Sequence, residues 1–152
     1  MKNRVRDIDR GYREAISNLV DLDGEVVTLG VHGQDDELVD GEVRLVEIAA
    51  FHEFGTRRVP ERSFLRRTVD AQSVRWGELS RRLVGRVVDR KMSARAAMAL
   101  QGEVAAGDVK RTITELDEPP NAPSTIAQKG SANPLIDTGR LRGAIGYEVT
   151  ST

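Results

Sequence analysis

The sequence predicts an α+β fold: a small antiparallel sheet packed against long helices, with an extended, proline-flanked loop before the C-terminal strand. Three observations predict it. Two stretches, Glu25–Val31 and Ile145–Val149, alternate apolar and polar residues as half-buried strands do. Two long segments between them repeat apolar residues at three- and four-residue steps, as helices do. The order helix, strand, three helices, strand keeps the strands apart in sequence, which suits an antiparallel sheet covered by helices in a single domain.

Along the chain, Val5, Ile8, Tyr12, Ile16 and Leu19 mark a first amphipathic helix, which Asp21 to Gly24 ends. In Glu25–Val31 the residues Val27, Leu29 and Val31 share one strand face. His32 to Gly41 is acidic and turn-rich, a loop. Glu42 to Phe54 reads as a mostly buried second helix with Leu45, Val46, Ile48, Ala49 and Phe51. Gly55 stops it, because glycine accepts the positive φ common at helix C-termini. Further strands are allowed within 34–42 or 55–60.

Arg57 to Arg62 is an extended link, since Pro60 turns Val59 away from helix. Ser63 is placed to cap a third helix with the apolar line Leu65, Val69, Trp76, Leu79, Leu83 and Val87. A break near Ser73 is allowed. Ser93 is placed to cap a fourth, with Met98, Val104, Val109, Ile113 and Leu116 as its stripe. Gly102 and Gly107 weaken that helix by roughly 1 kcal/mol each relative to alanine. Pro119, Pro120 and Pro123 end helical structure, and residues 117–134 form a loop or arm. Asp137 or Thr138 then caps one short turn through Leu141, before the strand of Ile145, Tyr147 and Val149.

Charge is distributed in blocks although the net value is only −1. Residues 1–56 carry thirteen acidic and six basic side chains, and residues 57–91 carry four and eleven. The two readings are solvated helix faces, or complementary patches that register association between copies or with a partner. The absence of cysteine excludes disulfides and thiolate metal sites. No apolar run approaches the ~18 residues of a membrane span, so a soluble intracellular product is expected.

Catalytic chemistry finds no footing, and neither a cofactor nor a metal is expected. His52–Gly55 lacks the second histidine that a zinc helix places four residues on, where Thr56 stands, and the other histidine is His32. As a helix C-terminus, the same run puts Phe51 and Phe54 in the core and leaves His52 or Glu53 to bond nearby arginines. There is no nucleophile elbow or phosphate loop. Asp35, Asp36, Glu37 and Asp40 lack the ligand spacing of a calcium loop. Arg66, Arg67, Arg75, Arg81, Arg82, Arg86 and Arg90 offer phosphate contacts, but Trp76 falls on the apolar line and the pI is about 6.2.

Two stretches carry a family resemblance. IAAFHEFGTRRVPERSFLR (Ile48–Arg66) resembles the A-x-x-x-E-F-G-T…I-P-x-R-P-F-L-R signature of tail-component and virion morphogenesis proteins of tailed bacteriophages. PPNAPSTIAQKGSANPLIDTGRLRGAI (Pro119–Ile145) resembles their P-L-x-D-T-G-x-L-R-x-S-I segment. Ser63 departs from the usual proline, and Gly143-Ala144 stands where a serine is common. The resemblance implies a non-enzymatic structural subunit of the phage neck, made in the host cytoplasm and ending in the virion. Its implied partners are other copies in a ring, commonly a hexamer, then the connector or adaptor and the tail-terminator or tail-tube proteins. DNA would pass through without sequence readout, and no membrane is involved.

The resemblance also implies which residues meet neighbours. In the first motif these are Phe51, His52, Glu53, Phe54 and Gly55, then Arg57, Arg58, Pro60, Arg62 and Phe64. In the second they are Pro134 with Leu135 and Ile136 as apolar anchors, and Asp137, Thr138 and Gly139 at the turn. Arg140 and Arg142 flank Leu141 and reach for carboxylates. Two other functions stay open: a tail terminator or minor tail protein, and a nucleic-acid-binding packaging or regulatory factor.

Overall fold

A computed structural model describes residues 11–39, 41–130 and 132–151. Val5, Ile8 and Asp40 lie outside the described residues. The fold is α+β, with two long helices on a small two-stranded antiparallel sheet. In chain order the elements are α1 (Tyr12–Val20), β1 (Glu25–Val31), β2 (Leu38–Val39), β3 (Val43–Arg44) and α2 (Leu45–Phe54). Then follow α3 (Phe64–Val88), α4 (Ala94–Glu115), α5 (Pro123–Lys129), α6 (Arg140–Ala144) and β4 (Ile145–Ser151).

The first and last strands pair directly, from Glu25 opposite Ser151 to Val31 opposite Ile145. Val27, Leu29 and Val31 turn inward as their alternation requires, while Val26 and Thr28 face outward. Helix α4 lies across both strands, and α3 packs on α4. The main core joins Phe64, Val109, Ile113, Leu116, Leu141 and Ile145, and a second cluster forms around Leu83, Val87, Ala94 and Ala97.

Several expectations are corrected. Helix α2 begins at Leu45, because residues 38–39 and 43–44 pair as a short hairpin and take up its expected first turn. Of the two extra strands, β2 lies within 34–42 as allowed, β3 lies just beyond it, and residues 55–60 hold none. Helix α3 runs unbroken through Ser73. The loop before β4 is interrupted by α5, which starts at Pro123; proline suits the first helical position, where its missing N–H has no partner to lose. In α1 the expected buried line faces outward, with Tyr12 73%, Ile16 44% and Leu19 41% exposed. Its inner side instead carries Asn18, whose Nδ2 donates to the Val88 carbonyl at 3.2 Å.

Gly102 has a role that helix propensity hides. It is buried where α4 crosses β4, and a Cβ there would overlap the Tyr147 ring. Gly107 is exposed, with nothing within 4 Å of an added Cβ. Gly102→Ala is therefore expected to destabilise by about 2 kcal/mol through overpacking. Gly107→Ala is expected to stabilise by up to about 1 kcal/mol. Urea unfolding of both variants checks the pair, and two changes of the same sign would refute the assignment.

Candidate interaction surface

The first motif is built around the end of α2. Glu53 projects from the last turn of that helix and is 3% exposed. Its carboxylate accepts from Leu65 N at 2.8 Å and from Arg66 N at 3.0 Å. Those N–H groups open α3, so an anion from one helix caps the next, where free donors and the helix dipole favour it. Ser63, the expected cap, makes no such bond. Arg66 closes the arrangement, giving Nε to Glu53 Oε1 at 3.0 Å and Nη2 to the Glu53 carbonyl and Glu61. Its guanidinium also lies 5.3 Å from the Phe54 ring centroid. The Glu53 hydrogen bond, opposed by some desolvation and assisted by the Glu61 charge, raises the Arg66 pKa above its ordinary value.

Gly55 makes the return possible. Its φ of 72° and ψ of 166° place it in a region that side chains disfavour, away from the left-handed helical cap that was expected. After it, Thr56 Oγ1 accepts from Arg58 N and Val59 N, and Arg62 N donates to the His52 carbonyl at 2.7 Å. The link of residues 56–62 is thereby folded back beneath α2.

The second motif is anchored to the same body. Arg62 is 5% exposed and donates Nε to the Pro119 carbonyl at 2.8 Å and Nη2 to Pro120 at 3.1 Å. Asn133 Nδ2 donates to the Ile113 and Thr114 carbonyls at the end of α4, and its Oδ1 accepts from Leu135 N and Ile136 N. The arm expected to reach a neighbour is thus tied at both ends to its own chain. Gly139 precedes α6, with no side-chain cap from Asp137 or Thr138, contrary to expectation. Arg140 does reach a carboxylate, Glu37 at 3.7 Å, and Arg142 Nη1 donates to Thr114 Oγ1 at 3.3 Å.

The motifs meet at a cavity of about 180 Å³ lined by His52 and Ile48 on one side and Leu135, Thr138 and Arg140 on the other. Glu53, Arg62, Phe64, Pro134, Leu135 and Leu141 are buried in the chain's own interior. Ile136, His52, Gly55 and Gly139 are half-buried. Phe51 and Phe54, placed in the core as a plain helix end, are instead 43% and 68% exposed. Arg57, Arg58, Pro60, Asp137, Thr138, Arg140 and Arg142 are exposed.

Two carboxylates escaped the sequence reading. Asp36 Oδ1 accepts from Val46 N at 2.9 Å and so caps α2 from the preceding loop. Asp108, 4% exposed on α4, takes the Trp76 indole N–H at 2.8 Å and pairs with Arg75 and Arg111. This pins α3 to α4 and commits the Trp76 N–H inward. An acidic residue on the buried face of a helical period was the available signal. Among the described residues, no group of histidines, cysteines and carboxylates is arranged to hold a metal, and no helix is long and apolar enough to cross a membrane. Comparison with protein-family models, curated proteins and solved structures finds no match.

Proposed function

We propose that the protein is a structural subunit of a tailed-phage virion that assembles into a ring, on the hexameric pattern, at the head–tail neck. One observation carries the reading. Helix α2 spreads apolar residues around its axis, with Glu47, His52 and Glu53 as its polar members, so much of its apolar surface calls for cover. Yet Val46, Phe51 and Phe54 stand 42%, 43% and 68% exposed. Val46 and Phe54 line a groove of about 280 Å³ together with Leu29, Val31, Ala50 and Ile145. A contiguous apolar surface of this kind marks a site of association. The acidic and basic blocks supply the register for head-to-tail contacts between copies.

In this reading the work is geometric and non-enzymatic. Rings present matched faces to the connector on one side and to tail-terminator or tube proteins on the other, and DNA passes without sequence readout. Cross-linking inside the particle separates the neck position from that of a tail terminator or minor tail protein: the neck protein joins to connector, the others only to tube. The second class, a nucleic-acid-binding factor, draws support from Arg67, Arg81, Arg82 and Arg86, which stand exposed along α3. Tight, steeply salt-dependent binding of a short duplex would favour it.

Native mass spectrometry of the purified chain is expected to show a closed oligomer. Phe54→Asp combined with Val46→Asp is expected to shift it to monomer, with the thermal midpoint lowered by only a few degrees. A wild-type chain that stays monomeric at every concentration, and is missing from mature particles, would refute the proposal.

A further inference from the structure

Between the folded-back link and the segment after Pro119 lies a second cleft, of about 620 Å³. Arg62 lines it, buried to 5% exposure, and its two hydrogen bonds go to main-chain carbonyls. No carboxylate pairs with it among the described residues. Carbonyl dipoles orient a guanidinium without cancelling its charge, and a buried cation lacking a counter-charge is costly. Burial lowers its pKa accordingly. Arg58, exposed on the same cleft, also has no side-chain partner among the described residues. The remaining walls mix Val59, Pro60 and Pro120 with the buried amide of Asn121. Two arginines set among prolines fit a carboxylate carried on a peptide, since the guanidinium fork matches that anion and the apolar walls accept its flanking side chains. A nucleic-acid backbone asks for an open basic face instead.

We propose that this cleft binds a carboxylate from the acidic segment 33–43 of a second copy of the chain. The proposal rests on the homo-oligomeric reading above. In that segment Asp36 and Glu37 are engaged within their own chain, by Val46 N and Arg140. Asp35 and Glu42 are exposed and form no ion pair among the described residues, and Leu38 between them is 53% exposed. Charge and an apolar side chain are thus offered together, which is what the cleft takes.

The test uses the full chain carrying Val46→Asp and Phe54→Asp, expected to be monomeric and so to leave the cleft open, and a labelled peptide of residues 33–43, GQDDELVDGEV, read by fluorescence anisotropy at low salt. The acidic peptide is expected to bind, and a counterpart with every Asp and Glu changed to Asn and Gln is not. Arg58→Glu should weaken binding at least roughly tenfold with an unchanged thermal midpoint, because that side chain supports nothing in the fold. Because the chain has no cysteine, mixing Glu42→Cys with a mass-tagged Arg58→Cys under a mild two-electron oxidant such as oxidised glutathione should give a disulfide-linked pair containing one chain of each kind. Equal binding of the neutral peptide, no effect of Arg58→Glu, or displacement of the peptide by a 12-base-pair duplex (probe length about one helical turn) would each overturn the assignment. A monomeric variant that binds no peptide, beside a wild-type chain that stays oligomeric, would sink the cleft while leaving the ring reading intact. A wild-type monomer whose peptide binding depends on Arg58 would support the cleft and count against the ring.

Discussion

Glu53→Ala is expected to lower folding stability by about 3–4 kcal/mol, the sum of a lost helix cap and an abandoned charged donor. The carboxylate is buried and serves three donors: two N–H groups of the first turn of α3 and the Nε of Arg66. Alanine leaves those N–H groups without acceptors in a place water reaches poorly. Glu53→Gln keeps the shape and one oxygen, so it should cost about half as much, since a neutral acceptor makes weaker bonds than a charged one. Urea denaturation of both variants and of Arg66→Met measures the series. Coupling between Glu53 and Arg66 should appear in the double mutant, because they share one network. A loss below about 1 kcal/mol for Glu53→Ala would show that the cap contributes little.

Gly55→Val comes next, with an expected loss of about 3 kcal/mol. Two penalties act together. The backbone conformation, φ 72° and ψ 166°, is one a β-branched residue resists. A Cβ at this position would also lie 3.0 Å from Glu61 N and 3.2 Å from Glu61 Cα, backbone atoms that cannot swing aside. Gly55→Ala meets both penalties in smaller measure and should fall between wild type and valine. Calorimetry reads the order directly. A valine variant melting with the wild type would mean the link of residues 56–62 can move freely. That outcome would also undermine the cleft below it, since Arg62 is positioned by the same return of the chain.

The parts of the fold legible in the sequence are those written in one dimension. Strands β1 and β4 declare themselves by alternation, and α3 and α4 by a sustained helical period, because each periodicity needs only neighbouring residues. Ser93 caps α4 as expected, its Oγ accepting from Ala96 N at 3.2 Å. What escaped is non-local. Glu47 caps the start of α2 locally by accepting from Arg44 N at 2.9 Å, but the further caps of α2 and α3 come from Asp36 and Glu53, ten and more residues upstream, and no local motif announces those. Gly102 looked like a weak point because its reason, the Tyr147 ring, lies on a strand at the far end of the chain. Pro123 opens α5 at its first position, although the proline cluster around it reads locally as a helix stop. Phe51 and Phe54 show the limit of hydrophobicity as a guide to the interior: large apolar residues on a mostly apolar helix need covering, and one copy of this chain does not cover them.

The pairing of β1 with β4 carries a consequence for biosynthesis. The long helices α3 and α4 intervene between these two strands, so on the ribosome the first must wait unpaired until the chain through β4 has emerged. Distant pairings of this sort slow folding and leave a strand edge open to wrong neighbours in the meantime. The same delay means that the finished sheet, and the helix bed it supports, exist only in copies whose translation has passed β4. Truncated products would therefore lack the platform on which α2 and its flanking link are arranged, and would be poor competitors for full-length ones.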